Sequence, residues 1–181
     1  MDDAMKEKIK RLVKIEIANN GIPNNVVDSL SEIEKEFVEI KDGKFVVKKE
    51  IRDAITVVAT GGVFDIIHAG HILTIKKAKT YGDLLVVIVA NDKTVKRRKG
   101  REPIHKAEYR KFIVENIKDV DIAIIGAEDF NETIERVKPN VVVFGYDQKP
   151  FSVKNAKIVK LKEKLFDERF KTHKIIEKLG I

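Results

Sequence analysis

The chain has 181 residues, 43% of them hydrophobic and 36% charged, which suits one domain with a hydrophobic core and excludes disordered and fibrous classes. It has no cysteine, which excludes disulfides, thiolate zinc sites and cysteine nucleophiles, and no apolar run approaches the roughly 20 residues of a membrane span, so we expect a cytoplasmic protein. The formal net charge of +7 favours an anionic partner: a nucleotide, a nucleic acid or a phosphorylated small molecule.

Residues 1–53 are predicted to form a small appendage that opens with helices. The first helix is indicated by apolar residues that recur on one face, namely Ile9, Leu12, Val13 and Ile17. Gly21 and Pro23 end this helix, and Asn25 can cap a second short helix that runs to residue 30. Ser31 and Glu34 form a capping box that predicts a third turn or helix.

A β-hairpin is predicted to follow these helices. Asp42 and Gly43 stand between the apolar runs 37–40 and 45–47, which is a strong hairpin signal. Three short helices and a hairpin outline a winged helix-turn-helix, a shape common in DNA-binding proteins. Because the helices mix acidic and basic residues, DNA binding is less favoured than a cap on the neighbouring domain or a homodimer contact.

From residue 54 to 181, strands and helices alternate. The predicted strands are 55–59, 84–89, 122–125, 141–144 and, more weakly, 156–159. The predicted helices lie near 71–81, 106–117 and 131–137. Continuous β-branched strands between amphipathic helices indicate an α/β fold: a Rossmann-like parallel sheet with helices on both faces. Ligands of such a domain lie beyond the carboxyl ends of the strands.

The first strand of this region leads into a glycine turn and a pair of histidines. Gly61 and Gly62 let the backbone turn sharply and approach a ligand closely. A helix is predicted to begin near His68, so its positive dipole end points toward whatever occupies the turn. His68 and His71 then lie on the same side of the helix start, each able to donate a hydrogen bond to a phosphate oxygen, and Gly70 removes bulk between them. The pattern predicts a polyphosphate site.

These residues resemble the G-[TV]-F-D and H-x-G-H motifs of the cytidylyltransferase-like branch of the nucleotidyltransferase superfamily. The matching positions are Gly62, Val63, Phe64, Asp65, His68, Ala69, Gly70 and His71. Further similarities are Asn91-Asp92-Lys93 after the second strand, R-x-P and E-x-R at Arg101, Pro103, Glu108 and Arg110, and the segment from Thr172 to Ile176. The loop of Gly145, Tyr146, Asp147 and Gln148 is similar to the G-x-D-Q loop of archaeal FAD synthases. His173 stands where members of the family usually carry Ser.

The resemblance implies a nucleotidyltransferase that moves a nucleoside monophosphate from ATP or CTP to a phosphorylated acceptor and releases pyrophosphate. In-line attack needs no protein nucleophile, so the protein supplies alignment and positive potential. His68 and His71 are expected to stabilise phosphate oxygens, and one of Lys76 and Lys77 to reach the acceptor phosphate. Asp65 is expected either to organise metal and triphosphate or to cap the helix.

The resemblance also implies a set of nucleotide-binding residues: Gly62, Val63, Phe64, Asp65, Asp92, Arg110, Gly145, Tyr146, Asp147, Gln148, Thr172 and Lys174. The basic run 96–101 is expected to be a loop that closes over the nucleotide or a solvated charged segment. A divalent metal, with Mg²⁺ as the expected ion, shields the leaving pyrophosphate, and no protein residue is assigned as its ligand.

Two acceptors are compatible with the sequence pattern. FAD synthase, in which FMN is the acceptor and ATP the donor, is the leading interpretation, from the 145–148 loop and the compact layout between His71 and Gly82. A cytidylyltransferase acting on glycerol 3-phosphate or another phosphorylated alcohol is the alternative. A nucleotide-sensing DNA-binding regulator is the less favoured hypothesis of a different class.

Overall fold

The computed structural model describes residues 1–162 and 172–180. The helices of this part are α1 (Asp3–Asn19), α2 (Asn24–Asp28), α3 (Glu32–Lys35), α4 (Lys49–Arg52), α5 (Ala69–Lys79), α6 (Asp92–Lys99), α7 (Ala107–Glu115), α8 (Phe130–Val137) and α9 (Thr172–Leu179). The strands are β1 (Val38–Lys41), β2 (Lys44–Val47), β3 (Val57–Gly62), β4 (Leu84–Val89), β5 (Ile122–Ile125), β6 (Val141–Phe144) and β7 (Lys157–Lys160). In the described residues, no helix combines the length and the apolar character that crossing a membrane requires.

Five parallel strands form the main sheet, in the order β5-β4-β3-β6-β7. From β3 the chain first adds β4 and β5 on one side and then β6 and β7 on the other. The order therefore reverses between β3 and β6, and ligands of open α/β sheets bind beyond the carboxyl ends of the strands at such a point. The Rossmann-like prediction is confirmed.

Both faces of the sheet are covered, because successive residues of a strand point to opposite sides. On β3, Val57 and Ala59 join one hydrophobic cluster and Val58 joins the other. The second cluster includes Ile75 of α5 and Val114 of α7. The first cluster takes in α8 and, on the same face, the N-terminal helices.

Residues 1–53 pack on the sheet through the apolar face of α1. The first cluster joins Leu12, Val13 and Ile17 of α1 to Val57, Leu84 and Val86 of the sheet. The predicted hairpin is present as the antiparallel pair β1 and β2. The predicted capping box is also present: Ser31 Oγ accepts from the Glu34 backbone N–H and donates to Glu34 Oε2. The hydrogen bond from Ser31 and then that from Arg11 lower the pKa of the Glu34 carboxyl to about 2.

Most strand predictions match the structure. Two local predictions are wrong: the end of β3 and the basic loop. Strand β3 continues to Gly62, beyond the predicted end at 59, because Gly61 and Gly62 still pair with Ile88 and Val89 of β4. The basic run predicted as a loop is helix α6 as far as Lys99. The side chain of Asn91 caps that helix by accepting from the Thr94 N–H at 2.7 Å, and Gly100, with φ of 68°, ends it.

Candidate active site

A cavity of about 940 Å³ opens at the carboxyl ends of the central strands. Its lining comes from the loops after β3, β4, β5 and β6 and from helices α5, α6 and α8. The volume lies near the upper end of the about 300–1,000 Å³ typical of ligand pockets, so the cavity can hold a nucleotide and a second substrate. It coincides with the point where the strand order reverses.

Gly61 and Gly62 are the last residues of β3, so the predicted sharp turn falls on the residues that follow them. Segment 61–65, called the glycine turn here, has a steric requirement that the sequence motif does not reveal. Phe64 is buried and adopts φ of 54°, a left-handed conformation that costs a non-glycine residue about 1–2 kcal/mol. Its ring lies so close to Gly62 that a Cβ there would be 3.0 Å from Phe64 Cε2. The same ring packs against His71, with centroids 5.1 Å apart. Gly62 therefore makes room for the Phe64 ring, which supports His71.

His68 is the N-cap residue of α5. Its Nδ1 accepts the backbone N–H of Gly70 at 3.2 Å. A neutral imidazole whose Nδ1 is an acceptor carries its proton on Nε2, so this contact fixes His68 as a donor through Nε2. A Cβ on Gly70 would lie 3.1 Å from the His68 ring, which explains the glycine between the histidines.

His71 stacks on His68, with ring centroids 3.9 Å apart. Burial, and secondly the neighbouring His68 ring, lower the pKa of His71 to about 4, although Asp147 acts in the opposite direction. His71 is therefore neutral at physiological pH. Its Nδ1 is buried and has no hydrogen-bond partner, which no other buried side-chain atom of the described residues shares. Such an atom is an available partner for a polar ligand.

The two adjacent lysines of α5, Lys76 and Lys77, point in different directions. Lys77 is half-buried and lines the cavity, whereas Lys76 is exposed and lies outside the lining. Further positive charge comes from α6 and the loop after it: Arg97, Arg98, Lys99 and Arg101 all line the cavity. The basic run thus forms one wall of the cavity.

Asp65 lines the cavity, so its predicted role toward metal and triphosphate stays a prediction, and its carboxylate has further partners. Its carboxylate is buried and accepts the backbone N–H groups of Ile104 and His105, each at 3.0 Å. Arg101 NH1 approaches the same carboxylate at 3.5 Å. The expectation of a helix cap is wrong, because His68 caps α5. Asp65 instead fastens the loop after α6 to the glycine turn, with both oxygens engaged.

Arg110 and Asp92 form a pair in the structure. Arg110 is fully buried and lies outside the cavity lining. Its guanidinium donates to Val63 O at 2.6 Å, His105 O at 2.8 Å and Asp92 Oδ1 at 2.6 Å. This pair therefore braces the glycine turn against α6 and the loop before α7, and its contact with the nucleotide stays a prediction.

The loop after β6 is tied to the end of β3 by Gln148. Its Oε1 accepts the Gly145 N–H at 2.8 Å, and its Nε2 donates to Gly61 O at 2.7 Å. Tyr146 and Asp147 line the cavity between these anchors. The four predicted loop residues are thus brought to the same cavity as the histidines.

Two of the predicted nucleotide-binding residues, Thr172 and Lys174, lie in α9. Lys174 is exposed, pairs with Glu177 at 2.8 Å and is outside the cavity lining. The predicted contact of Thr172 cannot be located, since its side chain lies outside the described residues.

Sequence reasoning missed the aromatic part of the cavity. Phe130 and Phe151 line it together with Phe144, and no local pattern marks these residues as partners. The cap formed by Asn91 was a usable signal for α6, because Asn at that place and Gly100 after the basic run have the spacing of a capped helix.

A parallel sheet with a glycine turn, a helix that begins on stacked imidazoles and a large cationic cavity define a nucleotide-binding α/β protein. Residues 59–179, more than half of the chain, match the family model described as Cytidylyltransferase-like. The chain belongs to this cytidylyltransferase-like family and is a nucleotidyltransferase.

Curated relatives and a solved structure agree with this assignment. The chain is 45% identical over 135 residues to a protein named FAD synthase from Pyrococcus horikoshii, covering 67% of this chain and 90% of the relative. It is 40% identical over 145 residues to one of the same name from Thermococcus sibiricus, covering 73% and 94%. The crystal structure of the lipopolysaccharide core biosynthesis protein from Thermoplasma volcanium superposes with a TM-score of 0.55 at 38% identity, covering 59% of this chain and 96% of that one.

Proposed function

We propose that this chain is an FAD synthase, which transfers AMP from ATP to FMN and releases pyrophosphate. The observation that carries the proposal is the 45% identity to a protein of that name across 90% of its length. The cavity supports it, because it joins a cationic phosphate-handling region to an aromatic wall. A cytoplasmic location and a homodimer remain predictions from the sequence.

In the proposed reaction, an oxygen of the FMN phosphate attacks the α-phosphorus of ATP. The new P–O bond forms as the bond from the α-phosphorus to the β-phosphate oxygen breaks, and pyrophosphate takes the electron pair. His68 Nε2–H and the neutral His71 donate to oxygens of the reacting phosphate. Donors fixed in advance, here by the Gly70 N–H and the Phe64 ring, stabilise the growing charge without reorganisation.

The cations around the cavity have separate proposed tasks. Lys77, on the same helix as the histidines, is assigned to the FMN phosphate. Arg97, Arg98 and Arg101 are assigned to the triphosphate and the departing pyrophosphate. Asp65 and Arg110 are proposed to position these groups, since they hold the glycine turn and the basic wall together.

Mg²⁺ is proposed to enter bound to the triphosphate. The described residues contain no group of three His, Asp or Glu side chains able to hold a metal, and Mg²⁺ commonly keeps its waters and takes phosphate oxygens as ligands. These residues therefore fit a metal held mainly by the nucleotide. When bound, the ion would shield the negative charge of the leaving group.

The direct test pairs each acceptor with each nucleotide and measures pyrophosphate. FMN or glycerol 3-phosphate is incubated with ATP or CTP and Mg²⁺, and FAD is identified by chromatography. We expect pyrophosphate and FAD from FMN with ATP. Product from glycerol 3-phosphate with CTP alone would refute the flavin assignment and favour the cytidylyltransferase alternative.

The histidine assignment is tested by His68→Ala and His71→Ala. Loss of one oxyanion-type donor lowers turnover by about two to three orders of magnitude, so we expect a fall of about a hundredfold or more. Circular dichroism checks that the fold is intact. Turnover within about tenfold of the parent protein, in either folded variant, would contradict the assignment.

A further inference from the structure

Two phenylalanines line the cavity with large exposed fractions. Phe130 is 38% exposed and Phe151 is 43% exposed. Their rings meet edge to face with centroids 4.8 Å apart, and Phe151 makes a similar contact with the buried Phe144 at 5.0 Å. We call Phe130, Phe144 and Phe151 the aromatic shelf. Two adjoining rings that remain accessible inside a cavity, with a third buried ring packed behind them, indicate a ligand surface.

The shelf is held in place by the surrounding structure. Phe144 is the last residue of β6, and Phe130 is the first residue of α8, whose N-cap Asp129 accepts the Asn131 N–H at 2.9 Å. Ile134 and Val142 line the same part of the cavity. The shelf and its neighbours are thus apolar and offer a planar ligand ring contact without side-chain hydrogen bonds.

The shelf and the histidines lie on different faces of the sheet. Phe144 belongs to the hydrophobic cluster beneath α1 and α8, whereas Phe64, which supports His71, belongs to the cluster beneath α5 and α7. The cavity therefore extends over the carboxyl edge of the sheet from a phosphate-handling side to an aromatic side. A ligand that uses both sides needs a phosphate at one end, a flat ring at the other and a flexible connection.

We propose that the aromatic shelf is the subsite for the isoalloxazine ring of FMN, a proposal that rests on the FAD synthase function. The dimethylbenzene edge of the flavin is apolar and suits a surface of Phe, Ile and Val side chains. Adenine carries polar atoms around its edges and is better served by the backbone groups of the 145–148 loop. The ribityl chain connects the ring on the shelf to the phosphate near His68 and Lys77.

The test uses Phe151→Ala and Phe151→Leu in the full-length protein. The first removes the side chain beyond Cβ, and the second keeps an apolar side chain without the ring, so an effect shared by both reports loss of stacking. Phe112→Ala is the matched control, because Phe112 is 67% exposed on α7 and outside the cavity lining. Thermal unfolding confirms that each variant is folded.

Two readouts separate the ligands: quenching of FMN fluorescence on binding, and the KM values for FMN and ATP in FAD formation. We expect the Phe151 variants to raise the dissociation constant and the KM for FMN by about tenfold or more, because loss of an aromatic stacking partner weakens binding to that extent. The KM for ATP should stay within about twofold of the parent value. Phe112→Ala should match the parent. A raised KM for ATP alone would place adenine on the shelf and overturn the proposal. Unchanged FMN constants would also overturn it.

The shelf and the proposed function can fail separately. FAD formation with an unchanged KM for FMN in both Phe151 variants would keep the function and reject the shelf. Absence of FAD formation by the parent protein, with FMN quenching that the Phe151 variants weaken, would reject the function and keep the shelf as a flavin site.

Discussion

The lowered pKa of His71 keeps its ring neutral in the protein without a bound phosphate. With a pKa of about 4, the ring is neutral near pH 7 and its contribution is a directed hydrogen bond. His68, which stacks on it, is fixed as an Nε2 donor by the Gly70 contact. The two imidazoles can therefore lie 3.9 Å apart without the repulsion that two imidazolium rings would have.

The same pKa predicts how stability depends on pH. In the unfolded chain, His71 takes up a proton near its ordinary pKa of 6.5, whereas in the folded protein it does so only near 4. Between these values the unfolded state binds more protons, so the free energy of unfolding falls as the pH drops from 6.5 toward 4. The slope from this one group approaches about 1.4 kcal/mol per pH unit.

The measurement is urea unfolding between pH 7 and pH 4.5 for the parent protein and His71→Gln. We expect the parent to lose more stability on acidification than the variant, because glutamine does not titrate. Equal losses in the two proteins would show that His71 is not held neutral by the fold.

Two adjacent lysines of α5, Lys76 and Lys77, provide a matched pair at the residue scale. Lys77→Ala removes a cation that lines the cavity, so we expect the KM for FMN to rise and turnover to fall by about tenfold or more. Lys76→Ala removes an exposed cation outside the lining and should leave both values within about twofold. Steady-state kinetics decides the point, and equal effects of the two substitutions would contradict the assignment of Lys77.

At the scale of elements, the loop between α5 and β4 requires a residue without a side chain. A Cβ on Gly82 would lie 2.6 Å from both Thr56 O and Val58 Cγ2, where β3 begins. Thr56 O also accepts the N–H groups of Asp83 and Leu84, so these hydrogen bonds fix the position of the Thr56 carbonyl. Neither side can retreat without disturbing the start of β3.

We therefore expect Gly82→Ala to lower the free energy of unfolding by about 1–3 kcal/mol through overpacking. Gly61→Ala is a suitable stability control, because its Cβ would meet Ile88 O at an ordinary 3.4 Å. Urea unfolding of both variants gives the comparison. A smaller loss for Gly82→Ala than for Gly61→Ala would contradict the steric argument.

The elements that the sequence predicts well are those with a local cause. Strands β4, β5 and β6 were located at both ends, because each is a continuous apolar run rich in β-branched residues. The helix start at His68 was located because the motif is contiguous. Asp65 could not be assigned, since its partners Ile104 and His105 lie about 40 residues further along the chain and only the fold brings them together.

The structure gives two sets of cationic residues surroundings that the sequence pattern does not reveal. Arg110 is charged and matches a family pattern, yet it is buried because two carbonyl oxygens and Asp92 satisfy its donors. The run 96–101 was interpreted as a loop because of its charge, although charged side chains are compatible with a capped surface helix. Composition indicates where a cation is available, and the hydrogen-bond partners decide what it does.

At the scale of the whole molecule, a buried ion pair inside the N-terminal region is tied to the α/β region by a hydrogen bond from Arg52. Glu16 of α1 accepts from Arg52 at 3.2 Å and from the Val47 N–H at 3.1 Å, and Arg52 also donates to Val137 O at 2.7 Å. Burial lowers the pKa of Arg52, which shows that its charge depends on Glu16 for compensation. Nearby, Arg136 of α8 donates to carbonyl oxygens at the end of α1.

Removing one partner of a buried pair leaves an uncompensated charge, so Glu16→Ala should lower the free energy of unfolding by about 3–5 kcal/mol. Glu39→Ala, at an exposed position of β1, should change it by less than about 0.5 kcal/mol. Urea unfolding at pH 7 measures both. Equal stability of the two variants would mean that the pair is not needed to hold α1 in place.

Because α1 and the sheet share one hydrophobic cluster, and hydrogen bonds from Arg52 and Arg136 cross between the two regions, residues 1–53 and the α/β region should unfold together. All three tyrosines follow residue 53, so tyrosine fluorescence reports the second region alone, whereas far-ultraviolet circular dichroism reports both. We expect the two signals to give the same urea midpoint in the parent protein, as in a two-state transition. An earlier loss of helical signal would show that α1 separates from the sheet first. Glu16→Ala should widen such a gap, because Glu16 also pairs with Lys138 of the α/β region at 3.4 Å.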